Sequence, residues 1–312
     1  MILTLDNRPG KPSAESQAPN GGAKPGVWQM SHVMLGTVGG GHNWTGEAAL
    51  SIKSFSGGQA YYNAGGGSYL VDANSYLILN HDQKYTIHIE PGTPIVSFCL
   101  FFAEGFAEEI RRSLNLGANR LLDEPEAGGQ PTVNFFERTY LHDELLSPAL
   151  AGFRAELLSG KNDPGWVNEQ LHDIAARLLA VHQLTRREVE ALPAVRPATR
   201  EELYRRLHRA RDFIAASATQ NVPLEEVARV ACLSPNHLLR NFKQLFGQTP
   251  HQYLTAQRLQ HAARLLRQPE TSVTEICLAV GFESLGSFST LFRRHTGLSP
   301  DAYRRQKRLK QG

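Results

Sequence analysis

The last third of this 312-residue chain repeats itself, and the repeat restricts what that part can fold into. From Ser234 and Ser284 onward two segments match at a constant offset of 50: Leu238 with Phe288, Phe242 with Phe292, Lys243 with Arg293, Gly247 with Gly297, Thr249 with Ser299, Pro250 with Pro300, and Tyr253 with Tyr303. Upstream, Leu224, Glu226 and Val227 match Val273, Glu275 and Ile276 at offset 49, so the second copy carries one extra turn residue. The pattern predicts two copies of one supersecondary unit, at about 224–246 and 273–296.

Each copy has the signals of helix, tight turn, helix. A short apolar helix breaks at Cys232-Leu233 or at Gly281-Phe282-Glu283. Ser234 or Ser284 then caps a second helix, and Gly247 or Gly297 ends it. Leu238 and Phe242, like Phe288 and Phe292, stand four apart and turn to a core, which leaves Asn236, His237, Arg240 and Lys243 on the other side. Such a face offers hydrogen bonds to base edges and phosphates. The candidate DNA-contacting set is Pro235, Asn236, His237, Arg240 and Lys243 in the first unit, and Leu285, Gly286, Ser287, Thr290, Arg293 and Arg294 in the second. A hairpin used only for packing is the plainer alternative, but it does not require two copies in a basic segment. Residues 199–312 hold 18 Lys and Arg against 9 Asp and Glu, whereas residues 1–198 hold 15 against 21. A basic module is thus joined to an acidic body, which suits a polyanion such as double-stranded DNA.

These residues resemble the AraC/XylS type of bacterial transcription regulators over about the last 115 positions. The resemblance rests on Ile276-Cys277, Gly281-Phe282-Glu283-Ser284, Phe288-Ser289, Leu291-Phe292-Arg293, Gly297-Leu298-Ser299-Pro300 and Tyr303-Arg304. The first unit matches through Ser234-Pro235, Leu238, Arg240, Phe242-Lys243, Gly247, Thr249-Pro250, Tyr253 and Arg258-Leu259. It implies a long helix, about Pro250 to Arg267, joining two readers of successive major-groove segments. It assigns base-edge contacts to Asn236 and Arg240, and to Gly286 and Thr290. Gly286 has no side chain and Thr290 a short one, where longer polar or basic groups are common. The second reader therefore leans on Ser287, Arg293 and Arg294 at phosphates. The resemblance further implies an activator that works with RNA polymerase, is controlled by a small-molecule effector, and forms a homodimer; a cytoplasmic location is expected because the sequence shows neither a secretory leader nor a membrane span.

The N-terminal two thirds are less explicit. Residues 1–26 contain four Pro and four Gly with almost nothing apolar after Leu5, and are expected as a flexible tail. Residues 27–105 show short β-branched and aromatic runs at 49–55, 59–62, 68–71, 76–79, 85–89 and 95–102, the pattern of a barrel or sandwich. Residues 106–198 then show helical spacing at Phe106, Ile110 and Leu114, at Leu141, Leu145 and Leu146, and at Leu171, Ile174, Leu178 and Leu179. Pro193 and Pro197 mark a linker, and Thr199 with Glu202 makes a capping box that opens residues 199–312. The expected class is α+β: a cupin-like effector-sensing barrel, a helical dimerisation segment with linker, and an all-α reader with two helix-turn-helix units. Trp44, Tyr61, Tyr62 and Tyr85 are candidate pocket-lining aromatics, with barrel core or surface as the plainer reading.

Other classes find less support. A metal-dependent cupin enzyme fused to a DNA-binding module needs a His-x-His pair with a nearby Glu and a distant His. Here His81 and His88 stand seven apart with Glu90, and His32 and His42 lie no closer to such a pattern. Gly39-Gly40-Gly41-His42 and Gly65-Gly66-Gly67-Ser68 lack the Gly-Lys-Ser/Thr ending of a phosphate loop and suit turns. No Gly-x-Ser-x-Gly occurs, and neither a catalytic residue, a metal site nor a cofactor is expected. Cys99, Cys232 and Cys277 are too scattered for a disulfide framework. Asp6 and Arg8 interrupt the only apolar stretch of the first ten residues, and no run of about 18 apolar residues occurs, so neither a secretory leader nor a membrane span is expected. A ligand-independent architectural DNA binder remains a third reading.

Overall fold

The computed structural model describes residues 2–6, 30–39, 41–90, 95–115, 132–192, 196–267 and 271–309. The chain divides into two compact units, Met1–Arg205 and Arg206–Gly312. The expected tail from residue 7 to 26 and Pro193 of the expected linker lie outside the described residues.

The first unit is built on two sheets. β1 (Ile2–Asp6), β2 (His32–Val38), β9 (Ile95–Phe101), β4 (Ser51–Ser56), β7 (Ser75–Leu79) and β10 (Thr139–Leu141) form the larger, in that order. β3 (His42–Glu47), β8 (Lys84–Ile89), β5 (Ala60–Ala64) and β6 (Gly67–Val71) form the smaller. β7 and β9 are strongly apolar because both faces of the larger sheet are covered. Successive residues point to opposite faces, so Val33, Leu35, Ile52, Ile78, Phe98 and Leu100 meet helices, while Val38, Phe55, Leu77, Leu79 and Ile95 meet the smaller sheet. The smaller sheet answers with Ala60, Tyr62, Tyr69, Val71, Tyr85 and Ile89. Its β5–β6 hairpin turns at Gly65 and Gly66, both at positive φ (55° and 76°), as a two-residue primed turn demands.

α1 (Phe106–Asn115), α2 (Ser147–Leu158) and α3 (Pro164–Glu190) cover the outer face of the larger sheet with Ile110, Phe153, Leu157, Leu171, Ile174 and Leu178. α3 starts where the Asp163 side chain accepts from the Trp166 amide and Pro164 takes a first-turn position.

Several expectations are corrected. Among the described residues no hydrogen-bonded ladder joins the two sheets, so the cupin-like barrel is not closed. The Asp72–Asn74 turn carries the chain from β6 to β7, from one sheet to the other, without pairing them. Ile2–Asp6, placed in the tail, is instead β1, parallel to β2. Its Ile-Leu-Thr-Leu run can hydrogen-bond along an open strand edge whatever the composition after it. Leu141, assigned to a helix, ends β10 beside β7. The stripe Leu171, Ile174, Leu178 and Leu179, assigned to subunit pairing, is buried against the chain's own sheet. α4 (Pro197–Ala216) begins two residues before the Thr199 capping box: the Arg196 carbonyl accepts from the Thr199 and Arg200 amides, and proline suits a first helical position.

Candidate nucleic-acid interface

In the second unit the repeat in sequence becomes a repeat in hydrogen bonding. α5 (Leu224–Val230) and α6 (Pro235–Phe246) form the first helix-turn-helix, α7 (Pro250–Leu265) follows, α8 (Val273–Ala279) and α9 (Leu285–Thr296) form the second, and α10 (Pro300–Leu309) closes the chain. α5 ends with the Leu233 amide on the Ala228 carbonyl (2.9 Å) and the Cys232 amide on the Arg229 carbonyl (3.0 Å). α8 ends in the same way, with Phe282 on Cys277 and Gly281 on Leu278, both 3.0 Å. This paired bond pattern is the Schellman motif, and its pivot residue must be left-handed. The pivots are Cys232 at φ 51° and Gly281 at φ 88°, equivalent at offset 49.

The caps repeat too. Ser234 accepts from the His237 amide and Ser284 from the Ser287 amide, each at 3.4 Å. Gly247 (φ 70°) and Gly297 (φ 81°) end α6 and α9, donating to Lys243 and Arg293 carbonyls. Thr249 and Gln252 form a capping box on α7, with Pro250 inside its first turn. Ser272 and Glu275 do the same for α8, and the two Ser272 donors hold the exposed Glu275 carboxyl below the usual carboxylate range.

Buried rings fix how each second helix is rotated. Leu238 and Phe242 are fully buried, and the Phe242 ring lies 4.5 Å from Phe246 and 6.0 Å from Tyr253. Phe246 in turn meets His208 of α4 at 5.0 Å. In the second copy, fully buried Phe288 and Phe292 lie 5.6 Å apart, and Phe292 meets Tyr303 at 5.5 Å. Leu259, Ala262 and Leu266, on and just after α7, share a core with Ile276, Val280, Phe288 and Phe292. Each buried Phe is worth about 1.5–3 kcal/mol relative to exposure, enough to make rotation of either helix costly.

Arg258 ties the copies together. From α7 its Nε donates to the Ala218 carbonyl and its Nη2 to the Gln220 carbonyl, both at 2.8 Å, while its guanidinium lies 5.9 Å from the Phe282 ring centre. A Cβ added at Gly281 would stand 3.0 Å from that guanidinium. One side chain thus holds the segment entering the first unit and the turn of the second. The sequence flagged Arg258 as part of a motif but could not show what it touched.

With the apolar sides turned in, the eleven sequence-derived contact candidates emerge together. Pro235, Asn236, His237, Arg240 and Lys243 are all exposed on α6, as are Leu285, Gly286, Ser287, Thr290, Arg293 and Arg294 on α9. Neither helix contains an Asp or Glu. Among the described residues no ion pair engages Arg240, Lys243, Arg293 or Arg294. Both faces therefore present uncompensated positive charge beside hydrogen-bonding side chains, which suits a phosphate-lined groove.

The candidate pocket residues of the first unit divide. Tyr62 and Tyr85 point between the sheets with ring centres 5.9 Å apart, and half-buried Trp44 packs against the same core. Tyr61 lies on the other face of β5, where its hydroxyl accepts from Gln59 and its ring nears His88, so it leaves the pocket set. Neighbouring strand residues cannot both point inward. The histidines are dispersed: His81 accepts from the Leu50 amide, His88 bonds Asn43, and His32 stacks on Phe101. Among the described residues no three His, Cys, Asp or Glu side chains are grouped as metal ligands, and no helix is long and apolar enough to cross a membrane.

A helix-turn-helix domain model matches residues 227–306. The chain is 29% identical to the transcriptional activator RhaS of Klebsiella pneumoniae over 81% of each protein. It is 33% identical to the melibiose operon regulatory protein of Escherichia coli, over 30% of this chain and 31% of that protein. A crystal structure of an AraC-type transcriptional regulator from Chromobacterium violaceum is 32% identical, covering 33% of this chain and 91% of that one, with a TM-score of 0.32. The chain spans about a third of the length of the first curated relatives it matches. These relatives bear the names of regulators and not of enzymes. With the duplicated turn and the duplicated caps, this match makes residues 227–306 a helix-turn-helix domain of the AraC type, in a chain similar to transcription regulators.

Proposed function

We propose that this protein is a sequence-specific transcription regulator, an activator whose first unit senses a small-molecule effector and whose second unit reads DNA. The observation that carries the reading is the duplication: two helices with the same Schellman turn, the same serine cap and an equivalent buried pair, Leu238 with Phe242 and Phe288 with Phe292, each expose a carboxylate-free polar face. α6 is the sharper reader, because Asn236 and Arg240 can reach base edges. α9 offers Ser287, Thr290, Arg293 and Arg294 and holds phosphates more than bases. RNA polymerase as partner, a homodimer on DNA and a cytoplasmic location belong to the same proposal, and the resemblance to such regulators supports them. Residues 106–198 would supply the pairing surface through exposed polar positions, since their apolar stripe is already used.

Selection of binding sites from a random duplex pool tests it. The expected result is one well-defined half-site facing α6 and a more degenerate segment about one helical turn, roughly 34 Å, away. Recovery of no enriched sequence would overturn sequence-specific reading, and two equally sharp half-sites would overturn the division of labour.

A further inference from the structure

We propose that Lys53 is the anchor for a small organic monocarboxylate held between the two sheets of the first unit, an inference that rests on reading that unit as an effector sensor. Lys53 lies mid-strand in β4, opposite Cys99 of β9 and Leu77 of β7. Its neighbour Ile52 faces the helices, so the pleat sends Lys53 inward toward the smaller sheet. The residue is 2% exposed. Its ammonium stands 3.8 Å from the centre of the Phe101 ring and 5.5 Å from that of Tyr85 across the gap, so it reaches into the layer that holds the candidate pocket aromatics Tyr62 and Tyr85.

Among the described residues nothing of opposite charge meets it there: no carboxylate pairs with Lys53 and no hydrogen bond to its ammonium is formed. Two ring faces offset only part of the cost of taking an ammonium out of water, so the buried charge lacks a partner. Burial pushes the Lys53 pKa down to about 8, which still leaves it mostly charged at neutral pH.

The surroundings define the class of ligand. His32, stacked 4.6 Å from Phe101, is held below its ordinary pKa by burial, so it adds no second cation at neutral pH. Burial also pushes the Tyr62 hydroxyl well above its ordinary pKa, which keeps it protonated and able to donate. Ala60 and Ala64 flank Tyr62 on β5, so short side chains stand beside that ring on the facing sheet. One cation, a phenol and aromatic walls suit a monoanion with an apolar body. A phosphate would need several more donors.

Calorimetric titration of the full-length protein with benzoate and octanoate, each against its uncharged amide, tests this. The expected result is saturable binding of at least one acid, with its amide at least tenfold weaker. Lys53→Met should abolish that preference and, without ligand, melt at the wild-type temperature or above, since it removes an unpaired buried charge. Lys53→Gln provides a second variant, and the acid-to-amide ratio in the wild type requires neither to fold. Amides binding as tightly as acids, or an acid preference that survives both substitutions, would overturn the anchor while leaving the sensor reading intact. If neither acids nor amides bind, the anchor is overturned; native mass spectrometry then decides the sensor reading separately, which stands if a neutral molecule is retained and falls if none is.

Discussion

Gly281→Ala should be among the most damaging single-methyl additions in the DNA-binding unit. Gly281 sits at φ 88°, where a Cβ meets the following carbonyl, a strain of about 1–2 kcal/mol. Alanine stiffens the unfolded chain and returns about 0.4–1 kcal/mol of this. The larger effect is on Arg258, whose guanidinium lies 3.0 Å from the added Cβ and must move. It donates to the Ala218 and Gln220 carbonyls, and a hydrogen bond to a charged group is worth about 1.5–3 kcal/mol. Losing one of the two brings the total to about 2–4 kcal/mol, roughly a 10–20 °C fall in melting temperature for a domain of this size. The equivalent first-unit pivot gives the opposite sign: Cys232→Gly relieves an existing left-handed residue (φ 51°) and should stabilise by up to about 1 kcal/mol. Urea and thermal unfolding of residues 199–312 measure both. A change below about 0.5 kcal/mol for Gly281→Ala, or a destabilising Cys232→Gly, would refute the reasoning from backbone handedness.

Residues 199–312 should themselves unfold in one cooperative helical transition, and a non-cooperative melt would refute their independence. Arg240→Ala should weaken specific DNA binding by about 1–3 kcal/mol and relax preference at one or two base pairs; an unchanged selected site would remove Arg240 from base reading. Lys243→Ala should instead lower affinity about equally on all sequences and flatten its salt dependence, which fluorescence anisotropy on specific and random duplexes would show. Thr290→Arg should tighten binding and sharpen the second half-site in a repeated selection, since the site is exposed and no carboxylate on α9 competes. Burial between Phe135 and Phe136 lowers the His182 pKa to about 4, below the ordinary 6.5, so its contribution to stability is complete above pH 6.5 and is lost as pH falls toward 4. Between pH 6.5 and 5 that amounts to up to about 2 kcal/mol, and His182→Leu should flatten the decline in urea midpoints over that window.

What was legible in the sequence was whatever local chemistry decides. Serine caps, glycine stops and four-residue apolar spacing act within a turn or two of helix, so both helix-turn-helix units and the exposure of Arg240, Lys243, Arg293 and Arg294 could be read residue by residue. Six of the strands were legible for the same reason, since β-branched and aromatic runs between turn residues need no partner to be recognised. Pairing between distant segments was not. The sequence could not say that β6 and β7 belong to separate sheets, that Leu141 would extend a sheet, or that the α3 stripe would cover that sheet and not a second subunit. Period-two alternation shows that Tyr61 and Tyr62 face opposite ways but not which of them faces inward. Lys53 shows this most clearly. In the sequence it is one lysine in a strand, and only the second sheet, closing over it from residues 60–89, makes it a buried cation, because desolvation depends on everything that surrounds a group and not on its neighbours along the chain.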